Sequence, residues 1–267
     1  MMCPKEHYKQ FGYAVLRGFF NEQEIDLIDS HVERIFQQWR LDKEEEIYNY
    51  KMVNMHSLTS CEYFQDSGEQ RVEFFNLIAT LKLTATLEHM FGSGIHFHNT
   101  QLFFNPSNPA RLPYWHRDMQ YSSVAQSVQR ETLTNMLSLH VRIPLVKEQG
   151  IEVIPGTHTR WDTELERKVR LELAGHTNNE PLPNAELISL ARGDVLIFNA
   201  QMIHRGSYTL NATRKALDLC VGKYHPLTSD FLNPHVLPSD EEISKIDNNQ
   251  WYKLARDIAA NKFKSNT

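Results

Sequence analysis

The spacing of hydrophobic residues changes character near Gly92, and the change divides the chain. Ahead of it the pattern is mostly helical. Ile25, Leu27, Ile28, Val32, Ile35 and Phe36 recur at three- and four-residue steps, the spacing of one helix face. Asn21 stands at the head of that run with Glu24 three residues on, the arrangement of a capping box. A short strand over 12–20, rich in branched and aromatic residues, precedes it. A second helix is expected over about 69–91, turning Phe74, Phe75, Leu77, Ile78 and Leu81 inward. Residues 41–60 are highly charged without a clear period and read as a surface segment.

Beyond Gly92, short runs of β-branched and aromatic residues alternate with polar turns: 95–104, 133–143, 151–154, 187–190, 195–198 and 215–224. Asn105-Pro106, Pro155-Gly156 and Arg192-Gly193-Asp194 are among the turn signals between them. Many short strands of this kind predict a mainly β fold with flanking α-helices, a jelly roll rather than a parallel sheet with crossover helices. A polar insertion at 159–186 carries a helix pattern at 162–173, and 239–262 reads as an amphipathic helix. With no internal repeat, one domain over 1–267 is the simplest organisation: a helical part to about 91, a jelly-roll core over 92–225, and a helical tail over 226–267.

Composition narrows the function classes. Of 267 residues, 41% are hydrophobic and 23% charged, ordinary proportions for a globular enzyme. Basic residues number 28 and acidic ones 33, a net charge of −5, which gives no support to a nucleic-acid or membrane-surface partner and leaves a small-molecule substrate. Cys3, Cys61 and Cys220 form no CxxC pair, so neither a zinc knuckle nor a redox dithiol is expected. The polar start and the absence of any run near the roughly 20 apolar residues of a membrane span point to a cytoplasmic protein.

The segment Tyr114-Trp115-His116-Arg117-Asp118 carries the most chemistry. In an extended chain, residues i and i+2 point the same way, so His116 and Asp118 can grip one ion while Arg117 faces elsewhere. His204, just past the strand at 195–198, supplies the third ligand that a returning strand would bring beside them. Two histidines and one carboxylate leave open positions on an octahedral ion, the facial triad of non-haem Fe(II) oxygenases. Arg214, ten positions past His204, is placed to clamp the distal carboxylate of a 2-oxoacid through a bidentate, charge-assisted pair. His96-Phe97-His98 has a metal-like spacing without a further ligand cluster and reads as structural; His140, between apolar neighbours, reads as a core histidine.

Taken in order, FGYAVLRGFFNEQEIDLI, YWHRD, EQGIEVIPGTH, ARGDVLIFNAQMIHRGS and NATRKAL resemble the phytanoyl-CoA dioxygenase family, Fe(II)/2-oxoglutarate oxygenases with a double-stranded β-helix. The resemblance implies Fe(II), 2-oxoglutarate and O2 as the reacting set, with His116, Asp118 and His204 on the metal and Arg214 on the co-substrate. Gln101, on the strand before the HxD segment, and Asn135, on the strand after it, are further candidates for 2-oxoglutarate contacts. Family members often carry a serine two residues after the second histidine. Here that position is Gly206, with Ser207 one step further and nominally pointing away, and the interval to Arg214 is one residue short. A bulge near Arg205-Gly206 would reconcile both and bring Ser207 to the co-substrate.

Halogenating relatives replace the metal carboxylate by a small residue, so Asp118 favours hydroxylation or another two-electron oxidation. The substrate pocket is expected near Tyr121, the 41–66 segment and the 159–186 insertion, where Arg117, Arg142 and Arg160 are candidates to meet an acidic substrate. Two other classes fit the triad: a cupin-type metal enzyme working without 2-oxoglutarate, and a catalytically inactive binding domain of the same fold.

Overall fold

The structure, a computed structural model, describes residues 2–65, 67–229 and 232–265; the chain ends, and Asp66 of the segment expected beside the pocket, lie outside them. Ten helices longer than a single 3-10 turn are described: α1 (Pro4–Phe11), α2 (Glu22–Arg40), α3 (Glu44–Asn49), α4 (Gly68–Ile78), α5 (Leu81–Phe91), α6 (Gln126–Thr132), α7 (Glu164–Arg170), α8 (Pro226–Ser229), α9 (Asp240–Lys245) and α10 (Gln250–Ser265). The strands are β1 (Tyr13–Leu16), β2 (Asn54–His56), β3 (His96–Phe104), β4 (Ser138–Pro144), β5 (Glu148–Val153), β6 (Glu186–Leu190), β7 (Val195–Asn199), β8 (His204–Gly206) and β9 (Lys215–Gly222).

They form two antiparallel sheets, a six-stranded one in the order β1-β7-β4-β9-β3-β2 and a three-stranded one in the order β6-β5-β8. This is the expected jelly roll, with helices contributing more of the chain than the strand pattern alone suggested. Alternation along the strands divides the large sheet into two faces. Leu139, Val141 and Ile143 of β4, Val195 and Ile197 of β7, and Leu217, Leu219 and Val221 of β9 join one apolar cluster with α2, α4, α5 and α10, running from Tyr8 to Ala259. The opposite face looks toward the small sheet. Leu196 and Phe198 pack there against Ile151, Val153, Ile188 and Leu190, but the next rows are polar: Gln101 opposes Asp218, which opposes Arg142, and Cys220 opposes His140.

Several elements differ from expectation. Asn21 caps α2 through the predicted box, accepting from the Glu24 N–H at 3.0 Å, but Leu27 lies off the buried stripe and is 48% exposed. The helix expected over 69–91 is two, because Thr80 takes an extended backbone and its hydroxyl accepts from the Leu83 N–H, starting α5 afresh. Leu81, in the first turn of that helix, is exposed. Within 41–60 the chain forms α3 and then β2, whose three residues pair with β3; so short a strand leaves no period to read. The run 133–143 is a strand only from Ser138, because its first residues turn out of α6.

Two of the family-like motifs turn out to be joints. Gly12 ends α1 in the left-handed region at φ 86°, and a Cβ there would come within 2.5 Å of the His158 ring, so the Pro-Gly-Thr-His turn seats directly on that glycine. Asp194 accepts from the Gly18 N–H at 2.8 Å, the Ala191 N–H at 2.9 Å and the Arg17 guanidinium at 2.6 Å, which ties β1 to the turn before β7.

Candidate active site

A pair of backbone hydrogen bonds brings the two candidate ligand histidines together. His116 and His204 oppose each other as an isolated antiparallel bridge, each N–H donating to the other's carbonyl at 3.0 Å. Directly opposed residues point their side chains to the same face, so the YWHRD segment extends the small sheet beside β8 and sets both imidazoles on it. Asp118 follows at the start of a 3-10 turn (Asp118–Tyr121), its N–H held by the Ala200 carbonyl. One ligand atom from each of His116, Asp118 and His204 then lies within 4.8 Å of the others, the only such group found among the described residues.

Each histidine is oriented by its backbone. The Nδ1 of His116 sits 3.1 Å from the Tyr114 carbonyl and that of His204 3.0 Å from the Met202 carbonyl, so Nδ1–H donates and Nε2 is left as the lone-pair donor to a metal. Burial lowers the pKa of both, and the facing His116 adds to the effect at His204, which falls to about 3; neutral imidazoles are the form a metal requires. Burial would raise the pKa of Asp118, but His140 and the two ligand histidines more than offset it and hold the carboxyl below its usual range.

Asp118 keeps one oxygen free beside the histidines. Its Oδ1 lies 3.6 Å from His116 Nε2 and 3.4 Å from His204 Nε2, whereas its Oδ2 accepts from His140 Nε2 at 2.6 Å. His140, stacked on Phe198 with ring centroids 4.9 Å apart, is therefore more than the core histidine expected: it supports a ligand. A chain of buried charges continues from it. His140 Nδ1 lies 3.2 Å from Asp218 Oδ2, the same oxygen is 3.3 Å from Arg142 Nη1, Arg142 Nε donates to Glu148 at 2.7 Å, and Glu148 stands 3.5 Å from Arg214 Nε.

Arg214 is short of partners at the end of that chain. Its Nε and Nη1 are buried without a hydrogen bond, and the Ser207 hydroxyl is likewise buried and unpartnered. Burial, then the like charge of Arg142, lower the guanidinium's pKa, so Glu148 does not fully compensate it. A buried cation with two free donors suits an arriving carboxylate. Gly206 shapes the same place: a Cβ there would lie 2.7 Å from the Tyr208 ring and 3.1 Å from Arg214 Nη2. The register from Val153–His204 to Ile151–Gly206 is unbroken, so the expected bulge is absent. The strand ends at Gly206, and Ser207 is turned into the interior by the 3-10 turn that follows.

Gln101 lies on the site face of β3, its amide bonded to Asn54 and 3.5 Å from the Cys220 thiol. Asn135, expected on β4, lies in the exposed turn before it and joins none of this network. His96 and His98 pair with each other, Nε2 to Nε2 at 3.0 Å, as the structural reading required. The arginines offered to an acidic substrate are already engaged. Arg117 is buried and binds Asp162 and the carbonyls of Thr157, Gln201 and Arg160; Arg142 is in the buried chain; Arg160 grips Glu166. Trp115 is core, its indole N–H on the Glu180 carbonyl.

Tyr121, expected beside the pocket, and residues that sequence reading did not single out complete the mouth. Tyr114 stacks on His116 with centroids 4.9 Å apart, and Tyr121 stands 5.7 Å from the same ring. Arg111 lies 4.3 Å above the Tyr114 ring, and Tyr208 lines the Arg214 side. His56 of β2, opposite Gln101 and solvent-exposed, lies close enough to feel Asp118 and His140. No helix among the described residues is long and apolar enough to cross a membrane.

Comparison with known proteins agrees with this geometry. The family model for phytanoyl-CoA dioxygenase (PhyH) matches residues 8–216. Among solved structures, HygX from Streptomyces hygroscopicus, with nickel and 2-oxoglutarate bound, superposes with a TM-score of 0.58 at 14% identity over 82% of this chain and 86% of its own. EctD from S. alaskensis, with 2-oxoglutarate and 5-hydroxyectoine, gives 0.54 at 16% identity over 82% and 74%. SnoK, a non-haem α-ketoglutarate-dependent carbocyclase from nogalamycin biosynthesis, gives 0.55 at 15% identity over 82% and 83%. No curated protein sequence matches the chain. The chain belongs to the phytanoyl-CoA dioxygenase family. It is thereby an oxygenase dependent on Fe(II), 2-oxoglutarate and O2.

Proposed function

We propose that this oxygenase hydroxylates an unactivated C–H bond of a small-molecule metabolite, with His116, Asp118 and His204 as the metal ligands and Arg214 as the clamp on the distal carboxylate of 2-oxoglutarate. The observation that carries the reading is the pair of buried Arg214 donors without a hydrogen bond, at the end of a charge chain rooted in Asp118. A cupin-type enzyme without 2-oxoglutarate, or an inactive binding domain, would have no use for a desolvated cation held open in this way.

Bound iron, 2-oxoglutarate and O2 supply the oxidising power, the co-substrate leaving as succinate and CO2. The chain's own groups do the rest. The two Nδ1–H bonds aim the imidazoles, and His140 keeps Asp118 to one oxygen, so that adjacent metal positions stay open. Arg214 fixes one end of the co-substrate, and Ser207, whose buried hydroxyl has no partner, and Gln101, on the site face of β3, are further candidates to contact it. Asp118 occupies the position that a halide would need, which supports hydroxylation over halogenation. Tyr114 and Tyr121 flank His116 at the opening and offer aromatic surface to a substrate.

Anaerobic addition of Fe(II) and then 2-oxoglutarate should produce the weak visible charge-transfer band of the chelated complex. A screen of small metabolites for O2-dependent succinate release, with the product's mass raised by one oxygen, should then identify the substrate. No band in the wild-type protein would sink the co-substrate assignment; succinate release with a desaturated or cyclised product would sink hydroxylation.

A further inference from the structure

The arginines around the site divide sharply by their partners. Arg117 and Arg170 share Asp162, Arg142 holds Glu148 and Asp218, Arg160 holds Glu166, and Arg205 holds Glu152. Arg214 is matched to the co-substrate. Arg111 remains. Among the described residues no carboxylate lies within ion-pair distance of it, and its Nε is buried without a hydrogen-bond partner.

Its position is built. The guanidinium stacks 4.3 Å above the ring of Tyr114, which stacks at 29° on the ligand His116, so cation, phenol and imidazole form one column over the metal position. Tyr208, whose ring borders Arg214, lies close enough to Arg111 to feel its charge. The cation is thus held at the mouth by stacking on Tyr114, with Tyr208 nearby, and neither phenol neutralises it. Opposite it the wall is aromatic, with Tyr121 at 6.5 Å from Tyr114, centroid to centroid. Asp118, beside His116, is engaged by His140 and faces the two histidines.

We propose that Arg111 is the docking point for an anionic group of the substrate, which therefore carries a carboxylate or phosphate and an apolar body that lies against Tyr114 and Tyr121. The inference rests on reading the triad as the iron centre of the oxygenase. The anion pairs with the fork of Arg111, and the body is laid along the Tyr114–His116 column, which holds a C–H bond over the open metal positions. The column explains why an arginine serves here: a planar guanidinium keeps its donors in plane while it stacks, and an ammonium group cannot.

Matched probes test this without knowledge of the natural substrate. Protein loaded with Ni(II) and 2-oxoglutarate, which does not turn over, is titrated calorimetrically with 3-phenylpropionate against 3-phenylpropionamide, and with benzyl phosphate against benzyl alcohol. Binding of metal and 2-oxoglutarate is measured first; its failure in the wild type would reject the oxygenase reading, not the role of Arg111 alone. With the site loaded, at least one anion should bind about tenfold more tightly than its neutral twin. Arg111→Gln should abolish that preference while leaving the affinity for 2-oxoglutarate within about twofold, and Arg111→Lys should restore part of it. If neither anion is preferred by the wild type, or the preference survives Arg111→Gln, the proposal is overturned. If Arg111→Gln weakens 2-oxoglutarate instead, Arg111 belongs to the co-substrate and the proposal is equally wrong. The benzoid pair that discriminates better distinguishes carboxylate from phosphate.

Discussion

His140 Nε2 donates to Asp118 Oδ2 at 2.6 Å, and this bond leaves the other carboxylate oxygen facing His116 and His204. A ligating carboxylate with one oxygen tied down has little freedom to chelate or swing away, and its support belongs to the site as much as the ligand does. His140→Ala should therefore weaken metal binding by about tenfold to a hundredfold, with His140→Gln recovering part of the loss through its amide donor. Anaerobic calorimetry with Fe(II), or with Co(II) as a stable substitute, measures it. Wild-type affinity in the alanine variant would show that the bond is incidental.

Arg214→Ala should leave metal affinity unchanged and raise the KM for 2-oxoglutarate by at least about tenfold, as expected for the loss of a buried charge-assisted pair. Arg214→Lys keeps the charge but loses the planar fork, so its KM should fall between the two. A KM unmoved in the alanine variant would remove Arg214 from the co-substrate site.

Gly206 stands where relatives often carry serine, and here the missing Cβ makes room for Tyr208 and Arg214. Gly206→Ser should thus weaken 2-oxoglutarate binding rather than improve it, and cost about 1–3 kcal/mol of stability through overpacking. Ser207→Ala, by contrast, removes an unpartnered hydroxyl; if that hydroxyl meets the co-substrate, the KM should rise several-fold with the melting temperature unchanged. Titration of both variants with 2-oxoglutarate, alongside thermal melts, distinguishes the two positions.

Asp194 gives a prediction for acid stability. Burial acts to raise its pKa, but the Gly18 and Ala191 amides and Arg17 more than offset this and leave it below the usual value. A carboxylate depressed in the folded state adds stability above its unfolded pKa of about 3.9, and that stability is lost as the pH falls through the folded value. Asp194→Asn should cost about 1–3 kcal/mol at neutral pH, and its stability curve should approach that of the wild type once the pH drops below about 4. Denaturant midpoints measured between neutral and acidic pH would refute this if the two curves stayed parallel.

The triad was legible because its chemistry is local: His116 and Asp118 stand two apart, and His204 follows a strong strand pattern. The capping box at Asn21 and Glu24 and most strands of the jelly roll were legible for the same reason. The break at Thr80, the short β2 and the late start of β4 were not. Each depends on whether a hydroxyl or an edge pairing wins over a local propensity, and that contest is settled by neighbours far along the chain.

By itself the sequence determined which atoms can hold a metal and which face of each strand can be buried, since both follow from side-chain chemistry and a two-residue period. Only the tertiary structure decided what those polar residues do. His140 and Arg142 had the pattern of buried strand positions, yet the register of β4 against β9 sets them beside Cys220 and Asp218 and turns them into supports of Asp118 and Glu148. Arg117 lies within the HxD segment and Arg111 five residues before it, and no local pattern says which of them meets an acid. The fold buries Arg117 against Asp162 and leaves Arg111 over Tyr114 without an acid, because ion pairing depends on which distant carboxylate the chain brings within reach.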